Sequence, residues 1–251
     1  MQIVIPMAGE GSRFQQQGFT FPKPLIQMPD GEPMIRMVIN CMGIKNADWH
    51  FIVRKEHEEK YSLSRLLPKM TAFWNPHSTN VHQIDTLTEG AACTVLEVTS
   101  YINNEKPLFV VNSDQYFTWD RDEFFASMKY QGADGGILTF RSLHPRWSFV
   151  RLADNGDVIE VAEKEPISDI ATVGTYFWKK GRFFVESASS MIEKNLRING
   201  EFYVAPTFNE MIADHKKIRI FDVKFMAGVG TPEDYHRFEI MTWMGKVPNY
   251  G

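Results

Sequence analysis

Cysteine is nearly absent: Cys41 and Cys93 are the only two in 251 residues. Both lie in apolar, helix-like runs, so free thiols in a reducing cytoplasm are expected, not a disulfide framework. With no histidine at ligand spacing they make no zinc site. Long hydrophobic runs are missing too. No stretch approaches the ~20 apolar residues that a membrane span needs, and no basic segment leads into an apolar core at the N-terminus, so neither membrane insertion nor secretion is expected. An excess of positive charge is also lacking. The 27 Lys and Arg stand against 31 Asp and Glu, a net charge of −4, which argues against general nucleic-acid binding because that depends on clustered cations. There is no internal repeat, low-complexity tract or long linker. What is left is 43% hydrophobic and 23% charged, the balance of a soluble globular enzyme or binding domain.

The informative stretch is the start. Met1-Gln-Ile-Val-Ile-Pro6 reads as a short buried strand running into Ala8-Gly-Glu-Gly-Ser-Arg13-Phe14, with Phe21-Pro-Lys23-Pro-Leu25 shortly after. A strand feeding a turn punctuated by Gly9 and Gly11 leaves backbone N–H groups free for a phosphate to approach. Arg13 and Lys23 add the cations that a polyphosphate requires. A plain strand and turn with two surface cations is the competing reading. The combination of strand, glycines, Arg13 and Pro22-Lys23-Pro24 favours a nucleotide loop.

Further along, strands and helices alternate. Pro33 opens a helix with Met34, Met37, Val38 and Cys41 on one face. A strand is predicted at Trp49–Val53, a helix from Glu56 to Leu67 stopped by Pro68, a short strand at Val81–Ile84, a helix at Glu89–Val98 and a buried strand at Pro107–Val111. Such alternation implies right-handed crossovers and a mostly parallel sheet. After Gly132 the pattern becomes strand-rich, at Gly136–Phe140, Ser148–Leu152, Asp157–Ala162 and Ala171–Phe177, with Asn155-Gly156 marking a hairpin. Helices follow at Arg182–Lys194 and Val204–Asp214, then a strand at Lys217–Val223 and a closing helix at Pro232–Trp243 capped by Thr231. The expected organisation is one domain over 1–251, with a nucleotide-binding half (about 1–131) and an acceptor-binding half (about 132–251).

Ligands of open α/β sheets bind beyond the carboxyl ends of the strands. Gly9–Arg13 and Asp114 each follow a strong strand, so both should face one crevice. A carboxylate there suits Mg²⁺, which takes one or two carboxylates plus phosphate oxygens; a turn or cap role is the alternative. Glu163-Lys164 ends another strand, either as a surface ion pair or with Lys164 on a second phosphate and Glu163 on hydroxyls. Gly174, before Tyr176, either makes room for a ligand or marks a bulge. Glu201 and Tyr203 either grip a polar substrate or anchor the next helix.

Taken in order, these motifs resemble the sugar-phosphate nucleotidylyltransferases, or NDP-sugar pyrophosphorylases. The resemblance rests on Ala8–Phe14 with Pro22-Lys-Pro24, Glu89-Gly90-Ala-Ala92, Asn112-Ser-Asp-Gln115, Glu163-Lys164 with Gly174-Thr-Tyr176, and Gly230-Thr-Pro-Glu-Asp234. It implies a Rossmann-like α/β nucleotidyltransferase fold, a mostly parallel sheet covered by helices on both faces. It also implies magnesium-dependent attack of a phosphate oxygen on the α-phosphate of a nucleoside triphosphate, with loss of pyrophosphate. Arg13 and Lys23 would be catalytic, and Ala8, Gly9, Gly11, Glu89 and Gly90 would bind nucleotide. Glu163, Lys164, Gly174, Tyr176 and Glu201 would bind the acceptor, and Asp114 the metal. Alignment and electrostatics would carry such a reaction without a protein nucleophile.

The chain departs from the family pattern in two places. Where relatives often carry a second metal-binding aspartate, two residues before the late Gly-Thr pair, this chain has Gly228; Asp222 or Glu201 are candidate substitutes. Where thymidylyl and uridylyl enzymes commonly have Gln near the base, it has Glu89. A carboxylate accepts hydrogen bonds without donating, which tilts the expectation toward the cytosine amino group of CTP. The acceptor is expected to be a sugar 1-phosphate for a surface polysaccharide, with a phosphorylated amino alcohol or amino-acid derivative as the alternative. A related-fold glycosyltransferase would want an Asp-x-Asp motif where Ser113-Asp-Gln115 stands, and a silent nucleotide sensor would not need an aligned acceptor site. Association into a homo-oligomer is left open.

Overall fold

The computed structural model describes residues 1–250. Its centre is a sheet whose main path, edge to edge, is β10 (Ile218–Asp222), β6 (Gly135–Arg141), β9 (Ile170–Trp178), β4 (Leu108–Val111), β1 (Gln2–Pro6), β2 (Asp48–Arg54) and β3 (Ser78–Ile84). β9 alone on that path runs opposite to its neighbours; the pairs β4–β1, β1–β2, β2–β3 and β6–β10 are parallel. Off the path, β7 (Ser148–Leu152) and β8 (Val158–Glu163) form an antiparallel hairpin joined to β9. A separate two-stranded ribbon pairs β5 (Gln115–Thr118) with β11 (Phe225–Gly228).

Burial on both faces follows from the strand sequences. Successive side chains of a strand point to opposite faces, and here both sets are apolar. Ile3, Ile5, Trp49, Phe51, Phe109 and Val111 belong to one core with the helix Met34–Met42. Their alternates Val4, Ile52, Leu108 and Val110 belong to a second core with Phe183, Phe184 and Phe208 from the helices Gly181–Glu193 and Thr207–Ala213. Strands apolar on both sides are what a parallel sheet sandwiched by helices requires.

Most expected elements are present. The helix Pro232–Trp243 begins as predicted, Thr231 accepting a hydrogen bond from the Asp234 N–H at 3.2 Å. The Asn155-Gly156 turn closes the β7–β8 hairpin, with Gly156 at φ 80°. Four differences have physical causes. The helix expected at 56–67 is two, Lys55–Tyr61 and Leu63–Thr71, broken at Ser62 in the left-handed region, and Pro68 lies inside the second of them. The helix expected from Glu89 starts at Ala91, because Gly90 at φ 134° is not helical. β5 and β11 had no separate signal: each has four residues and is defined by its partner across the ribbon. Finally, Gly174 at φ 85° sits in β9 where its register with β6 shifts, and the Asn112 side chain fills the space a Cβ would need, so it marks a bulge. Cys41 is buried and its thiol is pushed up to about 12 by that burial; Cys93 is only partly buried, and both are free.

Candidate active site

β1 and β4 are adjacent and parallel, so the segments leaving their carboxyl ends, Met7–Gly11 and Asn112–Asp114, emerge side by side. They line one crevice of about 530 Å³ with Lys23, Thr88, Glu89, Gly90 and Glu201. Gly11 adopts the left-handed conformation at φ 65° and ends the turn just before the short helix Ser12–Gln16. Lys23 lies against it and reaches Asp114 across the crevice floor, Nζ to Oδ2 2.6 Å, both side chains largely shielded. The opening glycine turn and Asp114 thus share one cleft, as the strand ends required.

The outer wall is the Gly90 turn, which is tied to the segment before Tyr203. The Phe202 N–H donates to the Glu89 carbonyl at 2.8 Å, and the Ala92 N–H donates to the Phe202 carbonyl at 3.0 Å. A Cβ at Gly90 would fall 2.4 Å from the Phe202 carbonyl oxygen, and φ 134° suits glycine alone. The Glu89 carboxylate is exposed and paired with Arg197, whose guanidinium lies over the Phe202 ring at 4.1 Å. Glu89 is therefore held by a cation of the facing loop. The sequence had put Glu201 with the acceptor; it lines this larger crevice instead.

A smaller chamber, about 230 Å³, opens from the same floor and shares Ala91, Asn112, Asp114 and Tyr203 with the crevice. Arg13, Glu163, Lys164, Gly174 and Tyr176 line it, so the expected acceptor residues other than Glu201 are brought together there. Lys164 is held at φ 58°, a conformation costing a non-glycine residue roughly 1–2 kcal/mol. A hydrogen bond from its N–H to the Trp147 carbonyl at 3.0 Å offsets that cost. Lys164 Nζ donates to the Tyr203 hydroxyl at the chamber wall. Burial pushes the Glu163 carboxyl up, against the Ser148 hydroxyl that donates to it and the nearby Lys164. Burial likewise raises the Tyr176 phenol; its hydroxyl meets Thr172 Oγ1 at 2.9 Å.

Arg146 and Trp147, which line the smaller chamber, escaped the sequence reading. Arg146 grips both oxygens of Asp234 at 2.6 Å and stacks on the Trp147 ring at 4.5 Å. Trp147 lies against Gly228, and Asn112 backs Gly174. His144-Pro-Arg146-Trp147 carries no spacing that distinguishes it from any loop, and only the fold turns it inward.

The carboxylate chemistry fits a hard divalent cation. Asp114 sits beside Gln115, whose amide oxygen is buried with no hydrogen-bond partner, and such oxygens together with phosphate suit Mg²⁺. The candidate substitutes for a second carboxylate do not converge there. Asp222 accepts from Thr139 at 2.7 Å and faces Arg141, and Glu201 lies on the outer hairpin of Ile198 and Glu201. Among the described residues no three His, Cys, Asp or Glu form a metal cluster. A larger hollow of about 690 Å³, between Gln17–Phe21 and the helix Pro232–Trp243, is lined by no cation and has Glu239 as its one ionisable carboxylate, so it offers nothing to a polyphosphate.

The model of the nucleotidyl transferase family matches residues 3–240. Among solved structures, a nucleoside-diphosphate-sugar pyrophosphorylase from Vibrio cholerae is 25% identical, with TM-score 0.79 over 95% of this chain and 99% of that one. A glucose-1-phosphate thymidylyltransferase, so described as putative, from Bacillus anthracis is 19% identical, with TM-score 0.73 over 100% and 97%. An inositol-1-phosphate CTP transferase from T. maritima is 12% identical, with TM-score 0.70 over 98% and 95%. No curated protein matches the sequence significantly. With a family match across nearly its whole length, the chain belongs to the nucleotidyl transferase family, the sugar-phosphate nucleotidylyltransferases that its motifs resemble, and it is a nucleotidylyltransferase.

Proposed function

We propose that this enzyme joins a nucleoside triphosphate to a sugar 1-phosphate and releases pyrophosphate, its two halves (about 1–131 and 132–251) working as one domain. The observation that carries this reading is the pair of communicating cavities that meet at Asp114 and Asn112. The larger has a backbone-built turn for a triphosphate, and the smaller has Lys164 for a second phosphate, with Arg13 in its lining beside Asp114. An acceptor oxygen delivered from the small chamber approaches the α-phosphate at that junction, and pyrophosphate is the leaving group.

In this reading Gly9 and Gly11 hold phosphate oxygens through backbone N–H groups, beside Ala8. Lys23 and Arg13 stabilise the negative charge that builds on the reacting phosphate and leaving group, the dominant effect in such transfers. Lys164 fixes the acceptor phosphate and Glu163 accepts from acceptor hydroxyls, on a floor completed by Tyr176. Asp114, with phosphate oxygens, would hold Mg²⁺, which supplies charge neutralisation at the triphosphate when bound. CTP is the triphosphate suggested by the carboxylate at Glu89; Arg197 competes for that carboxylate, so the base preference is the finest part of the proposal. A role in surface-polysaccharide synthesis in the cytoplasm accords with the sugar-nucleotide enzymes it is similar to.

Pyrophosphate release is the test, with each of the four triphosphates and a panel of sugar 1-phosphates and non-sugar phosphomonoesters. Release that requires both a triphosphate and a sugar 1-phosphate supports the reading. Release confined to phosphorylated amino alcohols or amino acids overturns the sugar assignment, and no release with any pair overturns the acceptor site.

A further inference from the structure

Tyr203 belongs to both cavities, lining the larger crevice and the smaller chamber. The segment that carries it is fixed. Phe202 before it and Val204 after it are buried. The Phe202 backbone is bonded on both sides to the Gly90 turn, its N–H to the Glu89 carbonyl at 2.8 Å and its carbonyl to the Ala92 N–H at 3.0 Å. From there the Tyr203 hydroxyl accepts a hydrogen bond from Lys164 Nζ. The Lys164 backbone is held at φ 58° by the Trp147 carbonyl, but this fixes only its main chain and not the flexible four-carbon stem. Among the described residues Lys164 makes no ion pair, and the phenol is what its ammonium meets. The two lysines of the site therefore differ. Lys23 is paired with the Asp114 carboxylate at 2.6 Å, whereas Lys164 is held by a neutral oxygen. Burial pushes the Tyr203 phenol up, against the Lys164 ammonium and with the Glu201 carboxylate, so the group stays protonated at neutral pH. The Glu163 carboxyl, next in the chain, takes its hydrogen bond from Ser148.

We propose that Tyr203 is the positioning residue for Lys164, aiming its ammonium from the wall the two cavities share, so that an acceptor phosphate entering the chamber meets a cation already in place. The physical reasons are entropy and charge. A lysine side chain has many rotamers, and a phosphate that must freeze them binds more weakly. A hydroxyl orients the ammonium through one of its three N–H donors and leaves two for phosphate oxygens. A carboxylate in that position would orient it as well, but would offset the charge the phosphate needs. This inference rests on the reading of the chamber as the acceptor site and adds to it the residue that sets its phosphate-binding lysine.

Steady-state kinetics of Tyr203→Phe, which keeps the ring and removes the hydroxyl, test it, alone and combined with Lys164→Ala. Pyrophosphate release is followed with the triphosphate and the phosphomonoester that the wild type uses best. Tyr203→Phe is expected to raise the acceptor KM by roughly three- to tenfold, the scale of one hydrogen bond, with the nucleotide KM within about twofold. In the Lys164→Ala background the same change should add nothing, because two residues acting through one ammonium are not additive. A folded Tyr203→Phe, by circular dichroism, with the wild-type acceptor KM would reduce Tyr203 to packing and overturn the inference. An equal rise in both KM values would mark a general disturbance of the wall and overturn it as well. Losses that multiply in the double variant would mean that Tyr203 acts independently of Lys164, which also contradicts it. An unchanged acceptor KM in Lys164→Ala alone would instead sink the acceptor-site reading, and the inference with it.

Discussion

The two cavities are built differently. The larger crevice is made chiefly from backbone: a glycine turn after β1, the Asn112–Asp114 segment after β4 and the Gly90 turn tied to Phe202. The smaller chamber is made from side chains carried by β7, β8, β9 and the loops around them, with Arg13 and Asp114 reaching in from the first half. A backbone cradle binds what all nucleoside triphosphates share and leaves little room for variation. Side chains on a hairpin can be exchanged without disturbing the sheet, so acceptor choice is expected to reside there.

The sharpest way to break this division is to remove the charges at the junction. Arg13→Ala and Asp114→Asn should each lower kcat by roughly 10²–10³, the range for losing a preorganised electrostatic contact, while leaving the circular dichroism spectrum unchanged. Wild-type turnover in either would take that residue out of the reaction. Next, Gly90→Ala tests the backbone wall. Strain at φ 134° together with the clash on Phe202 should cost roughly 1–3 kcal/mol of stability and raise the nucleotide KM more than the acceptor KM. An unchanged thermal midpoint would show that the wall yields.

Lys164→Ala probes the other cavity. It should raise the acceptor KM by about tenfold, with the nucleotide KM within twofold, the pattern of lost uniform binding. Equal effects on both constants would erase the division between the cavities. The smallest effect lies away from both. His50, on β2, meets His82 on β3 at 3.0 Å, and burial lowers its pKa to about 4. Its folded-state pKa lies below the ordinary 6.5. The stability it contributes is therefore complete above about pH 6.5 and declines as pH falls toward 4, where the imidazole must charge in place. His50→Asn should flatten the stability profile between those limits, measured by urea unfolding, and leave turnover at neutral pH unaffected.

This same difference in construction explains what could be read in advance. The positions of Gly9, Gly11, Arg13 and Asp114 were legible because each follows the end of a strand within several residues, so local order fixes where it emerges, whereas Lys23, twelve residues past Gly11, reaches Asp114 only through the fold. The sheet was legible because β1, β2 and β4 are apolar on both faces. The short ribbon β5–β11 was not, since four-residue strands are defined by their partner. Trp147 and Arg146 were not either: nothing local aims them inward, and the contacts that do, Gly228 and Asp234, lie more than eighty residues further along the chain. Gly228 was noticed as a missing aspartate, but the ring that fills its place was visible only in three dimensions.

Whether the glycine turn and Asp114 hold one triphosphate between them is answered most directly by a crystal structure of the enzyme with CTP and magnesium. The account predicts phosphate oxygens on the backbone of Gly9–Gly11 and near Arg13 and Lys23, with the metal on Asp114. A triphosphate bound elsewhere, for example in the hollow beside Trp243, would contradict it.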